Sequence, residues 1–505
     1  MTKIPKNPRI LIVTPEATYL PDRMGGLANY LTAKAGGLAD VSAALISSLF
    51  KQGADVHVAI PDYRSMFSDN LTPFLRKEFD ILERSMPDDR IHLVKDRAFF
   101  YLNRIYSGDG IENTKLSLTF QRDVLNYIIP NVKPDLIHCN DWMTGLIPAM
   151  SRVLGIPCLI TIHNIHTVKC FVSNLEDRGI DAAAFWKYLF YKIPPYNYEE
   201  SRNNNLVDFL TSGIFASHFV NTVSPQFLIE IIEGRHKFIE PSIRQEIIHK
   251  YNAGCAVGIL NAPDPSFNPS IDKALFHQYG PDDYLIAKRK NKIFLQSSVG
   301  LIANYKAPLF FWPSRLDPIQ KGCQLLSDIL FKVISEYWNQ DLQVIFVANG
   351  DFQKHFKNIV RLHGIEDRVA IYDFDENLEH LAYGASDFIL MPSLFEPCGL
   401  PQMIGPIYGT LPVAHDTGGI HDTIHHLNVN QNQGNGFIFK HFDSNGLFWG
   451  IREAMSFYNL PDDVKIGQIK RIMKESLATF NHSVTAIKYI ELYEKMLKRP
   501  LINDR

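Results

Sequence analysis

Cysteine is scarce and unpaired in this chain. Only Cys139, Cys158, Cys170, Cys255, Cys323 and Cys398 occur in 505 residues, and no two form a CxxC pair. That argues against zinc ribbons and disulfide frameworks and predicts reduced, mostly buried thiols in a cytoplasmic protein. Long apolar runs are also missing. None is long enough to span a bilayer. The N-terminal run Ile10-Leu11-Ile12-Val13 is short and stops at Pro15, so it reads as a core strand rather than a signal peptide. Neither sign of charge is in excess. A net charge of −3 leaves no general basic footprint for nucleic acid. Neither nucleic acid nor membrane is therefore an expected partner. Low-complexity tracts and short-period repeats are absent.

What is present is a foldable, globular composition, 46% hydrophobic and 21% charged, in a chain too long for one core. Apolar runs recur at Ile10–Val13, Val56–Ile60, Leu136–His138, Cys158–Ile162, Phe219–Val223 and Ala256–Leu260, with helical patterns between them. Asn261 to Ile302 is richer in proline and carries the basic patch Lys288-Arg289-Lys290, which reads as a linker with one or two helices. A second series follows at Leu309–Trp312, Val344–Val347, Val369–Tyr372, Phe388–Met391, Leu411–Val413 and Phe437–Phe439. Strands apolar on both faces, alternating with helices, predict parallel sheets of α/β type. Two Rossmann-like, doubly wound domains in tandem are expected, with ligand between their carboxyl ends.

Chemistry-bearing residues cluster after these strands. Met391-Pro392-Ser393-Leu394-Phe395-Glu396-Pro397-Cys398-Gly399-Leu400-Pro401 sets one carboxylate, Glu396, before a helix that Pro401 is suited to begin. The amides of Gly399 and Leu400 would face an anion there. Lys34-Ala35-Gly36-Gly37-Leu38-Ala39-Asp40-Val41 opens a helix after the first strand, with paired glycines for close backbone approach and Lys34 as a point charge. Arg315 and Lys321, in Arg315-Leu316-Asp317-Pro318-Ile319-Gln320-Lys321-Gly322, offer a fork and a movable charge to phosphate oxygens. His163 ends a strand, where a histidine can donate a hydrogen bond to a ligand hydroxyl. No metal is expected: the His163, His166, Cys170 spacing needs a helix where the stretch reads as a loop, and Asp373-Phe374-Asp375 reads as an ordinary strand-to-helix turn.

The wording K-x-G-G-L-A-D-V, R-L-x-x-x-Q-K-G, E-P-C-G-L, Y-G-T-L-P-V and T-G-G resembles the bacterial glycogen synthases and plant starch synthases from about Ile10 to Leu497. The resemblance implies the two-domain GT-B architecture. It divides the chain into 1–262 on the acceptor side, a linker 263–302, a nucleotide-sugar domain 303–479 and helices 480–505 that cross back to the first domain. It implies a retaining glucosyltransferase that extends an α-1,4-glucan, glycogen or starch, from ADP-glucose, without a cofactor. Glu396 and His163 would flank the transferred glucose, and Arg315 and Lys321 would hold the leaving diphosphate. Lys34, Gly36, Gly37, Cys398, Gly399, Leu400, Thr417 and Gly418 would line the donor, with Asp141 and Asn261 near the sugar. Three places depart from the family pattern: Met143 after Asp141-Trp142, Ala262-Pro263 after Asn261, and His415-Asp416 before Thr417. The seventeen residues between Glu16 and Lys34 read as an insertion at the end of the first strand, either offering aromatics to the acceptor or packing as a small lid.

Overall fold

The computed structural model describes residues 7–28, 30–67 and 90–502. Every one of the twelve apolar runs forms a strand. The chain divides into two compact units, Met1–Asn261 with His482–Arg505, and Ala262–Asn481.

In the first unit the strands are β1 (Arg9–Val13), β2 (Asp55–Pro61), β3 (Ile91–Val94), β4 (Leu136–Asn140), β5 (Cys158–Thr161), β6 (Lys169–Phe171), β7 (Leu206–Asp208), β8 (Phe219–Asn221) and β9 (Ala256–Val257). The main sheet runs β3-β2-β1-β4-β5-β8-β9 and is parallel throughout. Strands β6 and β7 form a separate antiparallel pair. Ile10 to Val13 are at most 1% exposed, as a central strand covered on both faces must be. Strand order reverses between β1 and β4, which opens a crevice at their carboxyl ends.

The helix His482–Leu497 completes this unit. It packs on the helix Gly37–Lys51, and two tyrosines reach the sheet. Tyr493 Oη lies 2.7 Å from His138 Nδ1, and Asn221 Nδ2 donates to Tyr489 Oη at 2.8 Å. Burial holds His138 down at about 3, so it is a neutral imidazole bridging Tyr493 and Thr161. Such a bond contributes about 1 kcal/mol, and orphaning one buried partner costs about 1–3 kcal/mol.

The second unit has β10 (Leu309–Trp312), β11 (Gln343–Val347), β12 (Val369–Tyr372), β13 (Phe388–Met391), β14 (Leu411–His415) and β15 (Phe437–Phe439). They form a parallel sheet in the order β12-β11-β10-β13-β14-β15, with the reversal between β10 and β13. Residues 263–302, expected to be a linker, belong to this unit. Asp272 accepts from His380 at 2.8 Å and from Tyr408 at 2.5 Å. The helix Tyr284–Ser298 packs on the helix Glu376–Ala385. Its basic patch is only partly solvated, with Lys290 exposed and Arg289 half-exposed. Lys288 is buried and donates to the carbonyls of Tyr383 (3.2 Å) and Tyr408 (3.1 Å) and to Thr410 Oγ1 (2.6 Å). Tyr383 lies in the last turn of the helix Glu376–Ala385 and Tyr408 follows the helix Pro401–Ile407, so the ammonium sits where helix ends are electronegative. Among the described residues no helix is long and apolar enough to cross a membrane.

Candidate active site

Both crevices carry the residues picked out from the sequence. In the first unit the chain leaves β1 into residues 14–36. Ala17 and Ala33 pair through two backbone hydrogen bonds of 3.0 and 2.8 Å and close the loop at its base. Leu20, Met24, Leu27 and Leu31 are buried in the unit's core, and Tyr30 is exposed. Packing, rather than presentation of its aromatics, therefore accounts for most of the insertion.

Gly36 caps the helix Gly37–Lys51 with extended backbone, φ −163°. A Cβ added at Gly36 would meet nothing within 4 Å, so the fold itself does not require glycine there. Glu16, a residue without an assigned role in the sequence analysis, holds the loop from behind. Its Oε2 accepts the amides of Ala35 (2.7 Å) and Gly36 (3.1 Å), and its Oε1 accepts from Tyr106 Oη (2.9 Å). Burial raises this carboxyl, and those same donors pull it back down. The Gly36 amide is thus already engaged, and Lys34 Nζ pairs with Asp40 Oδ2 at 3.0 Å.

Asp141 follows β4 with φ +55° and ψ −173°, a conformation that costs a non-glycine residue about 1–3 kcal/mol and concentrates at functional sites. Its carboxylate is fully used. Oδ1 accepts the amides of His163 (2.6 Å) and Asn164 (3.4 Å), and Oδ2 accepts Asn164 Nδ2 (2.8 Å). Burial lifts this carboxyl to about 7 against those donors. Asp141 therefore builds the turn that presents His163.

His163 is set by its neighbours. Asn140 Nδ2 donates to Val13 O at 3.1 Å, which turns the Asn140 oxygen toward His163 Nε2 at 3.0 Å. Nε2 therefore carries the proton and donates it to Asn140. Nδ1 keeps its lone pair and accepts, at 3.5 Å, from Asn261 Nδ2. Burial holds the ring neutral, with its pKa down at about 3. The ring proton is thus spent on Asn140 and the lone pair on Asn261. Asn261 Oδ1 is buried without a hydrogen-bond partner, a polar atom left for something the protein does not supply.

In the second unit the loops after β10 and β13 touch. Gly322 has φ +68°, and an added Cβ would stand 1.9 Å from Pro392 O. That approach brings Lys321 Nζ to 2.6 Å from Glu396 Oε2, which also accepts from Ser393 Oγ at 3.2 Å. Both members of the pair are largely buried, with 12% and 9% of their side chains exposed. Arg315 is exposed and makes no ion pair or hydrogen bond among the described residues.

Pro401 begins the helix Pro401–Ile407 as expected, with Leu400 as its N-cap. Cys398 is buried, Gly399 has φ +74°, and Gln402 Nε2 donates to Cys398 O (2.8 Å) and Gly399 O (3.1 Å). Thr417 caps the helix Gly418–Thr423. Gly418 lies at φ +45°, where a Cβ would sit 2.0 Å from Glu396 O. His415 is buried, with Nδ1 donating to Ser393 O at 2.8 Å, so it braces the Glu396 loop from within. Asp375 caps its helix by accepting from Leu378 N, and Asp373 accepts from Gln353 at 2.7 Å. Both acids have structural partners.

Glu16, Asn140, Ser393 and His415 position the other groups and were not singled out for it. All four stand next to a motif residue or at a strand end, and only their long-range partners reveal the role.

Comparison with known proteins agrees with this geometry. Residues 9–241 match the family described as Starch synthase catalytic domain, and residues 302–471 match Glycosyl transferases group 1. The chain is 31% identical over 488 residues to the glycogen synthase of Clostridium botulinum (strain Eklund 17B / Type B), across 92% of this chain and 97% of that one. It is 32% identical over 488 residues to the glycogen synthase of Clostridium perfringens (strain 13 / Type A), across 92% and 96%. Its fold is similar to the catalytic domain of Starch Synthase IV from Arabidopsis thaliana bound to ADP and acarbose, with a TM-score of 0.77 and 23% identity over 98% of this chain and 100% of that one. Two parallel α/β units of GT-B type, a returning C-terminal helix and end-to-end similarity to glycogen synthases converge on one conclusion: the chain belongs to the glycogen synthase and starch synthase family, enzymes that move glucose from a nucleotide sugar onto a glucan.

Proposed function

We propose that the donor is ADP-glucose and that transfer to the non-reducing end of an α-1,4-glucan proceeds with retention. The observation that carries this reading is the buried Lys321–Glu396 pair at the β10/β13 crevice, with Arg315 unengaged beside it in sequence. Breaking a sugar–phosphate bond leaves charge on the diphosphate and a deficit on the sugar. Arg315 takes the diphosphate oxygens through its fork, and Lys321 shares its charge between them and Glu396. A carboxylate that already accepts from an ammonium and a hydroxyl is a weak nucleophile. Glu396 therefore stabilises the oxocarbenium-like sugar, and the acceptor hydroxyl enters beside the leaving diphosphate. Asn261 Oδ1 accepts from a glucose hydroxyl, and His163, which holds the amino group of Asn261 at Nδ1, lies beside that sugar. In the first unit Lys34 and the Gly36–Gly37 turn are the groups suited to a donor, and in the second unit Cys398 to Leu400, Thr417 and Gly418 are. The ADP bound to the Arabidopsis domain supports the adenine nucleotide.

The test is transfer of radiolabelled glucose to glycogen from ADP-glucose and from UDP-glucose, with EDTA present. Label should enter glycogen from ADP-glucose with at least about tenfold higher kcat/KM, a preference of about 1.4 kcal/mol. Arg315→Ala should lower that kcat/KM about a hundredfold without changing Tm, because it removes no contact within the protein. Equal use of both donors would overturn the ADP assignment, and an unchanged kcat/KM in Arg315→Ala would move the phosphate clamp elsewhere.

A further inference from the structure

The second unit has a cavity of about 520 Å³ at the amino ends of β13 and β14, the opposite end of those strands from Glu396. Asp387 and Phe388, where β13 begins, and Gly409 and Leu411, where β14 begins, line it, whereas Glu396 and Thr417 follow the other ends of those strands. Its size falls within the range of small-molecule sites.

The charge around it is lopsided. Five cations, Lys288, Arg289, Lys292, Lys306 and Lys465, face two carboxylates, Asp387 and Asp462. Asp387 is taken by Lys292 at 2.5 Å, and Asp462 is shared by Arg289 (3.2 Å) and Lys465 (3.1 Å). Lys288 is buried and bonded only to neutral oxygens, so it has no ion pair among the described residues. Burial brings Lys288 down to about 7, and an anion in the cavity would favour its charged form.

Aromatic rings accompany the charge. Arg289 and Lys306 lie over Tyr305, at 5.2 and 5.9 Å from its centroid, and Lys292 and Lys465 lie over Tyr458, at 5.7 and 5.1 Å. Tyr284 also lines the cavity. It is 3% exposed, and its hydroxyl is buried without a hydrogen-bond partner. Buried hydroxyls are satisfied as a rule, so an orphan in a cavity wall points to a ligand atom. Excess positive charge, two ring faces and an unserved hydroxyl describe one kind of guest.

We propose that this cavity binds a phosphate monoester on a sugar ring, separately from the nucleotide-sugar crevice. The phosphate meets Arg289 and Lys306, and the ring lies against the tyrosines with a hydroxyl toward Tyr284. A free sugar phosphate and a nucleoside monophosphate both carry this group.

Isothermal titration calorimetry on the full chain tests the proposal with ribose 5-phosphate, inorganic phosphate and ribose as probes. Ribose 5-phosphate should bind at least about tenfold tighter than either half alone. Tyr284→Phe removes only a hydroxyl that bonds nothing, and Arg289→Ala removes a half-exposed side chain and its surface ion pair with Asp462, so both should fold. Each should weaken ribose 5-phosphate about fivefold or more and leave basal glucosyl transfer unchanged. Adenosine monophosphate separates the two sources. Binding lost in Arg289→Ala but kept in Arg315→Ala assigns a nucleotide to this cavity, and binding lost only in Arg315→Ala assigns a free sugar phosphate. No binding of ribose 5-phosphate, equal affinity for inorganic phosphate, or wild-type affinity in both variants overturns the proposal.

Discussion

Two glycine turns at helix starts, Gly36-Gly37 in the first unit and Gly418-Gly419 in the second, look alike in sequence and differ in what requires them. Gly418 is demanded by the protein: it has positive φ, and its missing Cβ leaves room for the Glu396 carbonyl. Gly419 is similar, with a Cβ position 2.0 Å from Cys398 O. Gly36 has extended backbone and open space, so its smallness serves no contact within the chain. The surrounding chemistry differs too. The first unit offers a neutral imidazole held by amides, and the second a buried ion pair. A glycine motif is thus compatible with two roles, making room for the fold or for a guest, and only the space around the missing Cβ separates them.

The largest test of this contrast is at the charged half. Glu396→Gln should lower kcat about a hundredfold or more while ADP affinity, followed by calorimetry, stays near wild type. Near-normal turnover would mean the charged half does not act at the sugar. Next come the glycines. Gly418→Ala should cost about 2–4 kcal/mol in chemical denaturation, through strain and overlap with Glu396 O. Gly36→Ala should stay within about 0.5 kcal/mol of wild type yet raise KM for the donor several-fold. If Gly36→Ala changed neither stability nor KM, the contrast would fail. Asp141→Asn comes third. Asn164 Oδ1 accepts His166 N at 2.9 Å, which fixes its amide so that Nδ2 faces Asp141. An asparagine at 141 would oppose one amino group with another, at about 1–3 kcal/mol of stability by denaturant titration. The smallest effect is a flat line. The folded pKa of His163, about 3, lies below its unfolded value of 6.5. Its contribution to stability is therefore present above pH 6.5 and fades as pH falls toward 3. Its ring NMR shifts should not move between pH 8 and 5, and an inflection near 6.5 would show a charged imidazole.

Much of this was legible in the sequence. Parallel strands buried on both faces leave uninterrupted apolar runs, so all twelve such runs became strands. Strand β3 escaped because Ile91-His92-Leu93-Val94 mixes a histidine into a short edge strand, and β6 because Lys169 and Phe171 are exposed. The burial of Lys288 was not legible, since lysine is seldom buried and the helix-end carbonyls that serve it lie far along the chain. Motif residues announced themselves through local wording. Their supports did not: Glu16 and Tyr106 are 90 residues apart, and nothing in either neighbourhood announces the bond. The tautomer of His163 is hidden for the same reason, because Asn140 decides it and is itself oriented by Val13.

The returning helix has a consequence for synthesis. Tyr489 and Tyr493 satisfy Asn221 and His138 in the first unit, yet all of Ala262–Asn481 is translated before they leave the ribosome. The first unit to emerge is therefore the last to be finished, while the second can close as soon as it is made. Until then the face of the sheet that receives those tyrosines waits uncovered, which makes the nascent chain a natural client for chaperones. A nonsense mutation near the end would injure the half of the protein encoded first.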